Sequence, residues 1–445
     1  MALERAAFAE LESWKKSPRR KALLVTGARQ VGKTYLVREF ARRNYQVFLE
    51  INFVETPSAK AIFEGDLNAE TLIANLTAFS GMALEPGSTL IFFDEVQECP
   101  RARTAIKFLV DDGRFDYIES GSLLGVLYNE VPSLPVGYEQ VLRMYPLSLE
   151  EFFVENGVQQ TTLDLARSCC EESKPVPPVV HERLMRLFRL YLAVGGMPAA
   201  VQEFVSTSDL ARVLGVQRDI LTLYRQDIAK YAPNKAHVHA IFDAIPAELN
   251  KKNKRFKLSD LAKTARMERY ESDFMWLADA GVALPCYNAV APQVPLEVNV
   301  RHNLFKLFFC DVGLLSAASV GAVQFDLVQG DLSVNWGSFL ENVVAQQLVV
   351  NGFDLYYYDK TKIGEVDFLV QKGSRAVPVE AKSGVDCAQH AALNNLLAVG
   401  EWGLQEAVVL CRENVERKGN ITYLPWYVVA FLKQDALPER FVVEV

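Results

Sequence analysis

Eight residues near the N-terminus, Gly27-Ala-Arg-Gln-Val-Gly-Lys-Thr34, follow the spacing G-x-x-x-x-G-K-[ST], which suits the cradling of a triphosphate. Gly27 and Gly32 would let backbone N–H groups turn towards phosphate oxygens, with Ala28, Arg29, Gln30 and Val31 forming the loop between them. Lys33 would reach the β and γ phosphates, and Thr34 would bind Mg²⁺ through its hydroxyl. A second set lies in Thr89-Leu-Ile-Phe-Phe-Asp-Glu95, an apolar run that ends in two acids. Asp94 would help to hold the Mg²⁺ and Glu95 would polarise an attacking water. Ser120 and Ser122 stand where a polar group could sense the γ-phosphate, and Arg143 is the candidate for an arginine acting in trans. Together these residues read as a site for ATP hydrolysis.

Another constellation occurs far down the chain, in Gly337-Ser-Phe-Leu-Glu-Asn342, Gly364-Glu-Val-Asp-Phe-Leu-Val370 and Val377-Pro-Val-Glu-Ala-Lys382. Read as a helix followed by a β-hairpin, the alternation of strand side chains puts Asp367, Glu380 and Lys382 on one side. Two carboxylates so placed could hold Mg²⁺ or Mn²⁺, Lys382 could orient a water or offset charge on phosphorus, and Glu341 would join from the helix. A hairpin with exposed charges, or a nuclease fold that does not cut, would show the same residues.

Between Lys251 and Arg269 stand Lys251, Lys252, Lys254, Arg255, Lys257, Lys263, Arg266 and Arg269 against Asp260 and Glu268, a local charge of +6 in a chain of net charge −8. Such a segment reads either as a contact for DNA or another nucleic acid or as a solvated basic face. His237 and His239 have no third ligand nearby in sequence and read as surface histidines.

The elements that must position these residues follow from hydrophobic pattern. Apolar runs at 21–26, 47–53, 88–93 and 115–118 alternate with helical patterns at 33–43, 70–79 and 101–110, which predicts an α/β domain with a largely parallel sheet. It ends near Phe153, ahead of the Pro-rich stretch Lys174-Pro-Val-Pro-Pro178. Helical patterns continue from 181 to 231, and two short helices with a β-like pair after them, over about 259–290, suggest a winged helix. From about 335 the pattern runs helix, strand, strand, helix and strand.

At 445 residues the chain accommodates two or three domains, here 1–160, 180–325 and 335–445. Half the residues are hydrophobic and 23% are charged, which excludes disordered and fibrous classes. Seven scattered cysteines without a Cys-x-x-Cys pair, an N-terminus unlike a signal peptide, and no long uncharged apolar run predict a cytoplasmic protein without a membrane span.

Taken together, the motifs resemble a prokaryotic family of AAA-type ATPases that carry a C-terminal domain of unknown function with a restriction-endonuclease-like, PD-(D/E)XK-type fold. Besides those above, the likeness rests on Phe93-Asp-Glu-Val-Gln97, Ser120-Gly-Ser122, Tyr145-Pro-Leu-Ser148, Gly195-Gly-Met-Pro198, Asp311-Val-Gly-Leu-Leu315 and Glu380-Ala-Lys-Ser-Gly384. The resemblance implies ATP and Mg²⁺ at the N-terminal loop, with self-association because AAA-type sites are completed between subunits. It further implies a metal-dependent nuclease-like centre at Glu341, Asp367, Glu380 and Lys382. Two functional expectations follow: an ATPase coupled to a domain that cuts or binds nucleic acid, or a nucleotide-dependent regulator whose nuclease-like fold is not catalytic.

Overall fold

The computed structural model describes residues 3–435 except 19, 123–132, 262, 264–265, 320–327, 329–335 and 385. The chain divides into two compact units, Met1–Pro146 with Met275–Val282, and Leu147–Phe274 with Ala283–Val445.

In the first unit α1 (Ala7–Lys16) precedes β1 (Ala22–Thr26), α2 (Lys33–Asn44), β2 (Val47–Asn52), α3 (Ala69–Ser80), β3 (Thr89–Asp94), α4 (Pro100–Asp112), β4 (Asp116–Gly121) and β5 (Glu139–Arg143). All strand pairings are parallel, in the order β2-β3-β4-β1-β5. The strands expected from the apolar runs are all present. Every residue of β3 is buried, as befits an inner strand covered on both faces. One face carries Leu24, Ile51, Phe93 and Tyr117 against Phe63, Leu72, Ile106 and Leu109, and burial of each such side chain contributes roughly 1.5–3 kcal/mol. Helices α3 and α4 stop where Gly81 and Gly113 take the left-handed conformation. Strand β5 has no apolar run, since only Leu142 is buried in it, and it is recognisable only through its pairing with β1.

The second unit begins with helices. Helix α5 (Leu149–Glu155) carries a capping box between Ser148 and Glu151. It is followed by α6 (Gln160–Glu171), α7 (Pro178–Val194), α8 (Pro198–Thr207), α9 (Leu210–Tyr231), α10 (Lys235–Leu249), α11 (Leu258–Leu261) and α12 (Met267–Asp279), whose end belongs to the first unit. Strands β6 (Ala283–Ala289) and β7 (Val300–Phe309) then form an antiparallel pair. After α13 (Val312–Ala318) and α14 (Trp336–Val350) come β8 (Tyr356–Lys360), β9 (Gly364–Lys372), β10 (Arg375–Ala381), α15 (Ala391–Leu397), β11 (Ala407–Cys411), β12 (Glu416–Lys418) and β13 (Ile421–Pro425). The eight strands make one sheet in the order β12-β13-β11-β10-β9-β8-β6-β7.

This sheet differs from the expected winged helix. The β6–β7 pair does not stand as a free wing: Tyr287 and Asn288 of β6 pair in parallel with Tyr356 and Tyr357 of β8. A two-stranded wing leaves one edge of each strand unpaired, and β8 satisfies the backbone groups of β6 on its open side.

Two motifs of the resemblance interlock here. Asp311 caps α13 by accepting from Leu314 N at 3.0 Å, and its second oxygen accepts from Gly196 N at 2.6 Å. A β-carbon on Gly195 would lie 2.2 Å from Asp311 Oδ1, and one on Gly313 would lie 2.4 Å from the carbonyl oxygen of Val194. A neighbouring carboxylate or carbonyl can come this close only where glycine stands. Among the described residues no helix is long and apolar enough to cross a membrane.

Candidate functional sites

In the first unit the loop from Gly27 to Gly32 joins β1 to α2 at the carboxyl edge of the sheet. Gly27 has φ +142°, and a β-carbon there would sit 2.1 Å from the carbonyl oxygen of Met144. Gly32 has φ +94° and starts α2; Gln30, at φ +68°, takes the same left-handed region without being glycine. Lys33 is buried, and its ammonium donates to the carbonyls of Gly27 at 3.0 Å and Ala28 at 2.9 Å and to Ser122 Oγ at 3.0 Å. The lysine thus stands folded over the loop that would receive phosphate.

Asp94, at the end of β3, is almost fully buried. Its Oδ2 accepts from Thr34 Oγ1 at 3.0 Å and Asn52 Nδ2 at 3.0 Å, and its Oδ1 accepts from the Ser120 hydroxyl and from Glu95 N at 3.1 Å. Four donors from four segments therefore fix one carboxylate, which is how a buried acid stays solvated by the protein itself. Glu95 follows at φ +52°, and its carboxylate accepts from Gln97 Nε2. The two serines divide their contacts: Ser120 bonds Asp94, whereas Ser122 bonds Lys33.

Strand alternation turns Glu119 to the opposite face, where it is buried with Glu139 and Arg103. Burial, then the neighbouring Glu139, pushes the Glu119 carboxyl well above the usual range, while Arg103 pairs with Glu139 at 2.9 Å. Arg143, paired with Thr26 where β1 enters the loop, is exposed and acts electrostatically on Asp279. Burial raises the pKa of Asp279, and Arg143 opposes that rise. The segment Met275–Val282 also brings Gly281 to the loop, where a β-carbon would lie 3.0 Å from Ala28 N. Neither this segment nor Asn52 is marked by any sequence motif; a polar Asn at the end of an apolar strand is the only signal for the latter.

In the second unit the structure brings Asp367, Glu380 and Lys382, the residues that alternation puts on one side, into one electrostatic cluster with Glu341 of the preceding helix. It adds two lysines that sequence reasoning did not place there. Lys306 of β7, fully buried, lies 2.6 Å from Glu365 and 3.3 Å from Glu341, and Lys254 from the basic segment also pairs with Glu341. Lys382 Nζ donates to Glu380 at 2.6 Å, Asp367 Oδ2 accepts from Ala381 N at 2.9 Å, and Glu380 Oε2 accepts from Asp367 N at 3.4 Å. Burial and then Glu341 and Glu380 push the Asp367 carboxyl well above its usual range. Burial works against the charged form of Lys306, yet Glu341, Glu365 and Asp367 outweigh it and keep the ammonium protonated.

Four acids thus face three lysines, so most of the carboxylate charge in the cluster is balanced from within, and burial favours the neutral form of Asp367. Among the described residues no group of three or more His, Cys, Asp or Glu side chains is arranged to hold a metal ion. The expected metal pair, Asp367 and Glu380, is engaged by backbone N–H groups and by Lys382.

The basic segment is built into the same region. Phe256 N donates to the carbonyl of Phe305 on β7 at 2.9 Å, and Arg255 acts electrostatically on Asp359 and Tyr357. Lys251 is engaged by Glu248 and Asp260, so Lys251 and Lys254 are internally paired, while Lys252, Lys257, Lys263, Arg266 and Arg269 are exposed.

Comparison with known proteins bears chiefly on the first unit. Residues 19–153 match the family model described as an AAA domain. This region thus matches an AAA domain, and it carries the parallel sheet and glycine-bounded loop described above. Residues 185–324 and 336–428 match two models described as domains of unknown function, DUF8612 and DUF4143. No curated protein matches the chain. Among solved structures, the Aeropyrum pernix Orc1 protein in complex with DNA is similar at 12% identity and a TM-score of 0.28, over 74% of this chain and 93% of that one. A variant of RuvB from Thermotoga maritima is similar at 15% identity and a TM-score of 0.27, over 65% of this chain and 88% of that one.

Proposed function

We propose that the protein is an ATP hydrolase of the AAA class whose C-terminal unit binds nucleic acid on a nuclease-like fold. The observation that carries the first half is the contact between Thr34 and Asp94 at 3.0 Å beneath a glycine-bounded loop, with Lys33 folded over it. A hydroxyl and a carboxylate held this way fit the ligands of a hydrated Mg²⁺, which would neutralise charge on the phosphates when bound. Lys33 exchanges its carbonyl partners for phosphate oxygens, Glu95 orients water, and Ser122, already bonded to Lys33, follows the lysine as it moves. The test is turnover of ATP with Mg²⁺ by wild type and Lys33→Ala; equal turnover would remove the assignment.

For the C-terminal unit, the order helix, three antiparallel strands, helix and a further strand parallel to the third (α14-β8-β9-β10-α15-β11) supports the nuclease-like reading. Three lysines among four acids favour binding without cleavage, because the carboxylates are already neutralised by ammonium groups. Incubation of plasmid, linear duplex and single-stranded RNA with Mg²⁺, with and without ATP, tests this. Cleavage by wild type that disappears in Asp367→Ala would replace the binding role by a catalytic one.

A further inference from the structure

In the second unit a groove of about 720 Å³ opens beside Ser383, one residue beyond Lys382. It lies where β10, β11 and β13, mutually parallel, reach their carboxyl ends: Ser383 follows β10, Arg412 follows β11 and Trp426 follows β13. Ligands of sheets with parallel strands bind at that edge. Helix α7 forms the opposite wall with Arg183, Arg186 and Arg189, spaced for one helical face. Four arginines thus line the groove, with Glu182 as the acid among the lining residues.

These arginines are not balanced from within. Among the described residues, Arg186, Arg189 and Arg412 have no carboxylate at ion-pair distance, and Arg183 donates to the carbonyl of Gly157 at 2.7 Å, which leaves its charge uncompensated. Burial, and then the like charge of Arg412, lowers the pKa of Arg189, so the two guanidiniums repel across the groove. An anion between them would remove that repulsion. Guanidinium forks match phosphate oxygens two at a time. In the walls Trp336 and Trp426 stack at 6.0 Å, and Trp426 Nε1 donates to the carbonyl of Lys382 at 2.9 Å. This last bond ties the groove to the cluster of Lys382, Glu380 and Asp367.

We infer that this groove binds the phosphate backbone of a nucleic-acid strand and leads it to the Asp367–Glu380–Lys382 cluster. The inference rests on the nucleic-acid reading of the C-terminal unit and assigns the strand's path. Both buried tryptophans present little face to a base, so recognition is by backbone charge and is independent of sequence.

The test is fluorescence anisotropy of a labelled 20-nucleotide DNA strand on the full chain at several salt concentrations. Comparison is among wild type, Arg189→Ala with Arg412→Ala, the exposed charge reversal Arg186→Glu, and Lys257→Ala with Arg266→Ala in the basic segment. Loss of two phosphate contacts should reduce the salt slope by about 1.4 and weaken binding about 25-fold at 0.1 M salt. Arg186→Glu should weaken it as well, with the melting temperature reporting that the variants fold. Wild-type binding that survives both groove variants but falls in the Lys257/Arg266 variant would overturn the groove and leave the nucleic-acid reading standing. No binding by wild type would overturn both. Displacement of the strand by equimolar inorganic tripolyphosphate would assign the groove to a free polyphosphate and overturn the strand path.

Discussion

Asp311 offers a perturbation whose size can be worked from the structure. Its carboxylate is fully buried and holds Gly196 N at 2.6 Å and Leu314 N at 3.0 Å, with Gln346 Nε2 at 3.4 Å. Burial raises its pKa to about 6, and these donors only partly oppose the rise. Tyr224 and Cys310 act on each other and feel Asp311, and both are pushed up, so neither titrates in the same window. A folded carboxyl raised from 3.8 to about 6 contributes stability that is complete below pH 3.8 and is lost as pH rises through 6, about 3 kcal/mol in all. Asn at this position cannot ionise, and it offers one acceptor oxygen where two are used, a pH-independent loss of about 1–3 kcal/mol. Native-state hydrogen exchange of the Gly196 and Leu314 amides, corrected for intrinsic rates, reads the local opening free energy in wild type and Asp311→Asn. The difference between the two proteins should change by about 1.4 kcal/mol per pH unit between pH 4 and 6 and be flat above 7. A difference that does not change with pH would refute the argument from burial.

Three further outcomes test the first unit. Asp94→Asn should retain nucleotide binding but lose Mg²⁺-dependent turnover by about 10² or more, because Thr34, Asn52 and Ser120 all converge on the charged form; nucleotide titration beside steady-state turnover separates the two effects. Gly27→Ala should weaken nucleotide binding at least about tenfold, since a β-carbon 2.1 Å from the Met144 carbonyl forces the loop away from β5; unchanged affinity by calorimetry would contradict the geometry. Glu119→Gln should leave stability at pH 7 within about 1 kcal/mol, because burial and the neighbouring Glu139 favour the neutral carboxyl; a loss above about 3 kcal/mol in denaturant unfolding would mean that it is ionised and pairs with Arg103.

Much of the ATP site is local in the chain, which is why it is legible from residue order. A phosphate loop needs a buried strand, glycines at set intervals and a helix start, and all of these lie between Ala22 and Asn44. Asp94 and Glu95 end another apolar strand, and because β3 and β1 both run parallel to β4 between them, their carboxyl ends reach the same edge of the sheet. The faces of the β9–β10 hairpin follow from alternation alone, so Asp367, Glu380 and Lys382 were predictable as neighbours.

Contacts between distant segments were decided only in three dimensions. Lys306 reads as one polar residue in an apolar strand, and Lys254 as one cation among eight, until both meet Glu341 and join its acids in an ion-paired cluster. The β6–β7 pair looks self-sufficient in sequence because strand edges carry no side-chain signature; hydrogen bonding to β8 depends on where the chain returns after α14. Likewise β5 lacks a hydrophobic run since it is an edge strand, and only its register against β1 shows that Arg143 stands beside the phosphate loop. Local chemistry is written in spacing, whereas charge compensation depends on which remote residues the fold brings within a few ångströms, and the linear order of residues does not encode that distance.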